Sequence, residues 1–152
     1  MKTRRTRKPV FARLTAAESK ALLRRNHVGR IAFVNQGVVD IEPVHFVTST
    51  SWLLMRSAEG TKLEAFAHSP YVAFEVDEVE GPFDWRSVVV HGTIYFIDPE
   101  RGETDRALQE EAVRHLRTID ADMLTADDSA PHRQQLLRIY VDEVTARSAR
   151  PA

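Results

Sequence analysis

The stretch Ser87–Ile97 reads Ser-Val-Val-Val-His-Gly-Thr-Ile-Tyr-Phe-Ile. Val88, Val90, Ile94 and Phe96 fall on one face at a period of two, and Ser87, Val89, His91, Thr93 and Tyr95 on the other. That alternation, in β-branched and aromatic residues, predicts a long strand rather than a helix. A strand with valines on both faces needs cover on both. Gly92 in its middle predicts a bend of the kind that closes a small barrel.

The other short apolar runs fit around this strand. Arg30–Val34 and Val38–Val47 flank the turn Asn35-Gln36-Gly37, and Trp52–Arg56 follows the polar turn Thr48–Ser51. Strands joined by such short turns are antiparallel neighbours. Tyr71–Val76 is a fourth strand, the acidic Asp77–Asp84 with Gly81-Pro82 reads as a loop, and Leu136–Val144 is the last strand. Thr15 and Glu18 form a capping box opening a helix from about Ala16 to Asn26. Leu63, Phe66 and Ala67 place a second helix over Thr61–His68, stopped by Ser69-Pro70. A third starts at Asp98-Pro99-Glu100 and carries the stripe Leu108, Ala112, Leu116, and Thr125–Pro131 is a polar loop. The predicted fold is mainly β (α+β): a six-stranded antiparallel barrel with a few flanking helices. Residues 14–146 form it, between a basic, poorly ordered arm at 1–13 and a polar tail at 147–152.

Several chemistries are excluded. The chain has no cysteine, so disulfides, zinc ribbons and thiol nucleophiles drop out. It has no glycine-rich dinucleotide fingerprint, Walker loop or nucleophile elbow. No two histidines stand at helical metal-ligand spacing, so no metal site is expected. With no run of about 18 apolar residues and no secretory signal, no membrane is expected and the cytosol is the expected compartment. A net charge of −1 gives no bulk field for polyanions. Lys2, Arg4, Arg5, Arg7, Lys8 and Arg13 do crowd the N-terminus. They read as a solvated arm, with nucleic acid or a protein partner as the alternative.

Three stretches carry the chemistry. Arg56-Ser57-Ala58-Glu59-Gly60-Thr61-Lys62-Leu63 runs from a strand into a helix. It groups a guanidinium, an ammonium, two hydroxyls and free backbone N–H groups, a set that suits a phosphate monoester. Gly60 allows close backbone approach. An ordinary strand–helix junction with a salt bridge through Glu59 or Glu64 would read the same way. Trp85-Arg86-Ser87 opens the long strand and could bracket a flat ring; it could equally be a strand start with a core tryptophan. In Glu42-Pro43-Val44-His45-Phe46 the proline removes a ladder donor and belongs at an edge or bulge. His45 there is either a ligand neighbour or a satisfied barrel residue.

In order, Gly29–Val34, Pro43–Val47, Arg56-Ser-x-x-Gly-Thr-Lys-Leu63, Val72–Asp77 and Trp85–Gly92 resemble the flavin-binding split barrels of the pyridoxamine 5′-phosphate oxidase-like family. Within it they look like the flavin-nucleotide-binding group that includes nitroimidazole-resistance proteins. The likeness spans about residues 14–117. It implies a split barrel and a homodimer holding FMN between protomers. Arg56, Ser57, Thr61 and Lys62 match the phosphate-gripping segment. Pro43, Val44 and His45 match the strand along the isoalloxazine, and Trp85, Arg86 and Ser87 the segment reaching it from the partner. Deazaflavin, FAD and haem are alternatives for the same cleft. The tail Asp142–Ala152 has no Trp, so vitamin-B6 oxidation is not expected.

Three functions follow from these residues. The first is a flavin-dependent oxidoreductase acting on a small molecule such as a nitro compound, with His45 as the one candidate proton donor. The second is a non-catalytic module that stores or senses flavin or haem. The third is a nucleic-acid-associated protein using its basic arm.

Overall fold

The computed structural model describes residues 7–58 and 61–152, with Thr61 described by its backbone alone. Seven strands and three α-helices follow one another as β1 (Val10–Arg13), α1 (Ala16–Arg25), β2 (Val28–Asn35), β3 (Val38–Ser49), β4 (Trp52–Ser57), α2 (Thr61–His68), β5 (Tyr71–Gly81), β6 (Asp84–Ile97), α3 (Glu103–Leu116) and β7 (Gln135–Arg150). All pairings are antiparallel. The strand order is β1-β7-β4-β3-β2-β5-β6, and β6 pairs again with β7. Six strands therefore close into a ring that fits a split barrel, with β1 added on the outer edge of β7.

Local chemistry sets the corners. Gln36 and Gly37 both have positive φ, 52° and 79°, the geometry a two-residue hairpin turn requires. At Gly92 the β6–β7 register shifts, and a Cβ there would lie 2.3 Å from the Tyr140 carbonyl oxygen. The absent side chain lets β6 bend across β7 while both strands stay paired. Inside the ring Phe46 meets Phe74 edge-on at 4.8 Å, among Ile31, Val76, Val88, Val90 and Ile139. Leu22 and Leu23 of α1 and Phe66 of α2 join this core. The helix start is as predicted, with the Glu18 amide donating to Thr15 Oγ1 at 3.1 Å. A second cluster lies on the outer face of the ring, where Val47, Leu54, Ile97 and Leu136 are covered by Ala112, Leu116 and Met123.

Four expectations need correction. Within the expected arm at 1–13, Val10–Arg13 is a strand registered against Arg147–Arg150, and residues 1–6 lie outside the described residues. The same pairing turns the expected tail from residue 147 into the end of β7. Asp77–Gly81 is strand, not loop, and β5–β6 turns at Pro82-Phe83. Arginines from elsewhere offset the acidic run: Arg30 bonds Glu75 and Asp77 at 3.1 and 3.0 Å, and Arg25 forks onto Glu78 at 2.8 and 2.5 Å. Asp98 caps only a single 3-10 turn, Pro99–Arg101, and α3 begins after Gly102. Among the described residues no helix is long and apolar enough to cross a membrane.

Candidate functional site

The ladder between β3 and β4 ends at Phe46–Met55. Beyond it β3 stays paired with β2, Pro43 opposite Arg30 and His45 opposite Val28, while Arg56 and Ser57 stay paired with β7. Glu42–His45 therefore has no ladder partner on the β4 side. Pro43, which lacks an N–H, sits where the ladder needs none. Between the parted strands lies a recess of about 250 Å³, lined by Pro43, Val44, Arg56, Ser57 and Lys62, with Glu42, Ala58, His132 and Arg133 completing the wall. Two larger grooves of about 400 and 570 Å³ flank Trp52, but they gather none of the motif residues.

The charges in the recess are mostly matched. Arg56 is 4% exposed and closes its fork on Asp128, Nη1 to Oδ2 at 2.5 Å and Nη2 to Oδ1 at 3.0 Å. Its Nε is buried without a hydrogen-bond partner among the described residues. Asp128 also accepts from the amides of Leu124 and Ala130, at 2.8 and 2.9 Å. The Arg56 bonds, and after them the Ala130 amide, hold that carboxyl far below the usual carboxylate range. Lys62, in the first turn of α2, pairs with Glu42. The Ser57 hydroxyl donates to the Ala58 carbonyl at 3.2 Å. Glu59, Gly60 and the Thr61 side chain lie outside the described residues.

His45 is half-buried on β3, beside this recess. Burial first, and then the positive charges of Arg133 and Arg56, push its imidazole pKa down from 6.5, so at pH 7 it is neutral. Trp85, Arg86 and Ser87 are elsewhere in the chain's fold. Trp85 registers with Ala149 and Arg56 with Leu136, toward opposite ends of the sixteen-residue β7. Arg86 is exposed and lies 3.5 Å from Glu78.

Sequence reasoning missed Asp128, His132 and Arg133. They stand in or just after a stretch read as a polar loop, and nothing local distinguishes Asp128 from Asp127. Its partner Arg56 is remote in the chain, so no spacing rule could pair them.

The closed six-stranded ring, parted between β3 and β4 over a cation-lined recess, defines the chain as a split barrel. Residues 15–148 match the pyridoxamine 5′-phosphate oxidase family, and the chain belongs to that family. It is similar to an FAD-binding protein from Mesorhizobium loti, with 25% identity, 94% of this chain and 99% of the other covered, and a TM-score of 0.74. An FAD-binding protein from Mycobacterium smegmatis also matches at 25% identity, over 91% and 98%, with a TM-score of 0.63. A candidate 5-nitroimidazole antibiotic resistance protein from Bacteroides thetaiotaomicron shares the fold at 17% identity, over 92% and 88%, with a TM-score of 0.64. No match is found among curated proteins.

Proposed function

We propose that this chain binds FMN as a homodimer, with the phosphate in the recess between β3 and β4, and works as a flavin-dependent oxidoreductase on a small molecule. The observation that carries the reading is that one recess joins Pro43, Val44, Arg56, Ser57 and Lys62, which come from two strands and a helix. Its donor set fits a phosphate monoester: an ammonium, a hydroxyl and the start of a helix, beside the Arg56 guanidinium that Asp128 holds. The unpaired edge at Glu42–His45 offers backbone groups to the rim of a flat heterocycle. Membership of the family and likeness to two FAD-binding proteins support a flavin. The small volume of the recess favours a single phosphate.

The bound flavin would supply hydride or electron transfer. Lys62 and Ser57 bind the phosphate, Pro43 and Val44 align the ring, and neutral His45 can accept a proton or donate its N–H. A second copy of the chain brings Trp85, Arg86 and Ser87, which lie too far along β7 to serve their own recess. Support for the dimer comes from the apolar residues left uncovered on one protomer: Val39 and Tyr71 are each 74% exposed, near Val34 and Ile41. Apolar strand surface of this kind needs a partner.

Purification followed by release and identification of the chromophore tests the reading. FMN is expected. Release of a deazaflavin, FAD or haem, or a colourless protein that fails to take up FMN, overturns it. Turnover with reduced nicotinamide or another electron donor separates an oxidoreductase from a carrier.

A further inference from the structure

The recess carries three basic side chains, and two already have a carboxylate. Arg56 is closed on Asp128 and Lys62 pairs with Glu42. Arg133 lines the same recess, half-buried, and forms no ion pair among the described residues. With the two matched pairs cancelling, Arg133 supplies the net positive charge of the wall among the described residues. A partly desolvated guanidinium without an anion is costly, and an entering anion would remove that cost. A phosphate monoester, carrying about −1.5 to −2 at neutral pH, is such an anion. A planar guanidinium can also hold two of its oxygens at once.

Arg133 is fixed in place by a short chain of hydrogen bonds. Asp128, anchored on Arg56, accepts from the Ala130 amide at 2.9 Å. The Ala130 carbonyl accepts from the Arg133 amide at 3.0 Å. The buried carboxylate thus holds the turn from which Arg133 emerges. The charge of Arg133 also bears on His45, ahead of that of Arg56.

We propose that Arg133 contacts the ligand's phosphate and sets the preference for a phosphorylated flavin, and that Asp128 is the residue that positions it. This rests on the reading of the recess as the phosphate end of a flavin site.

The test is titration of the refolded apo-protein with FMN and with riboflavin, which lacks the phosphate, for wild type, Arg133→Gln, Arg133→Lys and Asp128→Asn. Arg133→Gln is expected to weaken FMN roughly ten- to hundredfold and leave riboflavin unchanged. Arg133→Lys should restore part of the loss. Asp128→Asn frees the turn and also leaves the Arg56 charge unmatched in the recess. A fall in the same FMN-to-riboflavin ratio against that added charge reads the loss of positioning, which a merely structural defect would not give because both flavins would weaken together. Asp128→Asn removes one partner of a buried pair and can fail to fold; Arg133→Gln, at a half-buried residue with no ion partner, then decides. A wild-type ratio in Arg133→Gln overturns the role of Arg133, and a wild-type ratio in folded Asp128→Asn overturns that of Asp128. Equal affinity of the wild type for both flavins is a different result, which removes the phosphate reading itself.

Discussion

Arg56 and Asp128 form a two-point ion pair that joins β4 to the segment between α3 and β7, and both charged side chains are buried. A charge left behind in such a place has nothing to replace its partner. Arg56→Ala should therefore lower the thermal midpoint markedly, and so should Asp128→Ala. The double variant Arg56→Met/Asp128→Leu should be more stable than either, because it leaves no stranded charge. Thermal melts of the three check this; a double variant less stable than both singles would show that the pair is not the unit described. Arg56, matched from sequence to the phosphate-gripping segment, has its fork closed on Asp128.

Gly92→Ala should destabilise the chain by about 1–3 kcal/mol, since its Cβ would press on the Tyr140 backbone and Ile139, groups that cannot swing away. Denaturant titration reads the loss. Stability equal to wild type would mean that the β6 bend does not depend on the missing side chain.

Acidification should destabilise the protein in two stages. His45 has a folded pKa below 6.5, chiefly through burial, so the unfolded chain takes up its proton more readily. Its contribution is complete above pH 6.5 and is lost as pH falls through the folded value. Glu78 is pulled from 4.5 to about 2, chiefly by the Arg25 hydrogen bond. Its contribution is complete above pH 4.5 and fades toward about pH 2. Melting temperature measured against pH should show both declines. His45→Gln should flatten the first and Glu78→Gln reduce the second, which Asp128 shares because Arg56 holds its carboxyl below the usual range as well.

Much of the fold was legible because β2, β3 and β4 are short apolar runs separated by short polar turns, and because Gly92 breaks a long apolar strand. Two things were not legible. β1 and the end of β7 define each other: Val10–Arg13 and Arg147–Arg150 have little local strand signal and pair across the whole chain. The acidic half of β5 resembles a loop until Arg25, Arg30 and Arg86 are brought beside it. At the site, the residues flanking Pro43 and the Arg56–Lys62 segment stood out because cations, hydroxyls and a proline sit close in sequence. Asp128 and Arg133 did not, since their meaning comes only from a contact made by folding.

The proposed dimer makes a prediction at Val39, which is opposite Val34 on the exposed β2–β3 hairpin. Val39→Asp should place a charge in the joint, yield monomer by light scattering and lose flavin with it. Wild-type protein that stays monomeric at micromolar concentration would remove the interfacial site.

Lys62 gives the most direct test of the recess as a phosphate site. It stands at the start of α2, opposite Glu42, and its loss should spare the fold, as circular dichroism would verify. Removing one charge-assisted hydrogen bond of about 1.5–3 kcal/mol weakens binding by roughly one to two decades. Titration of wild-type and Lys62→Ala apo-protein with FMN and riboflavin should show that loss for FMN and little change for riboflavin. Equal weakening of both flavins, or of neither, would contradict the account.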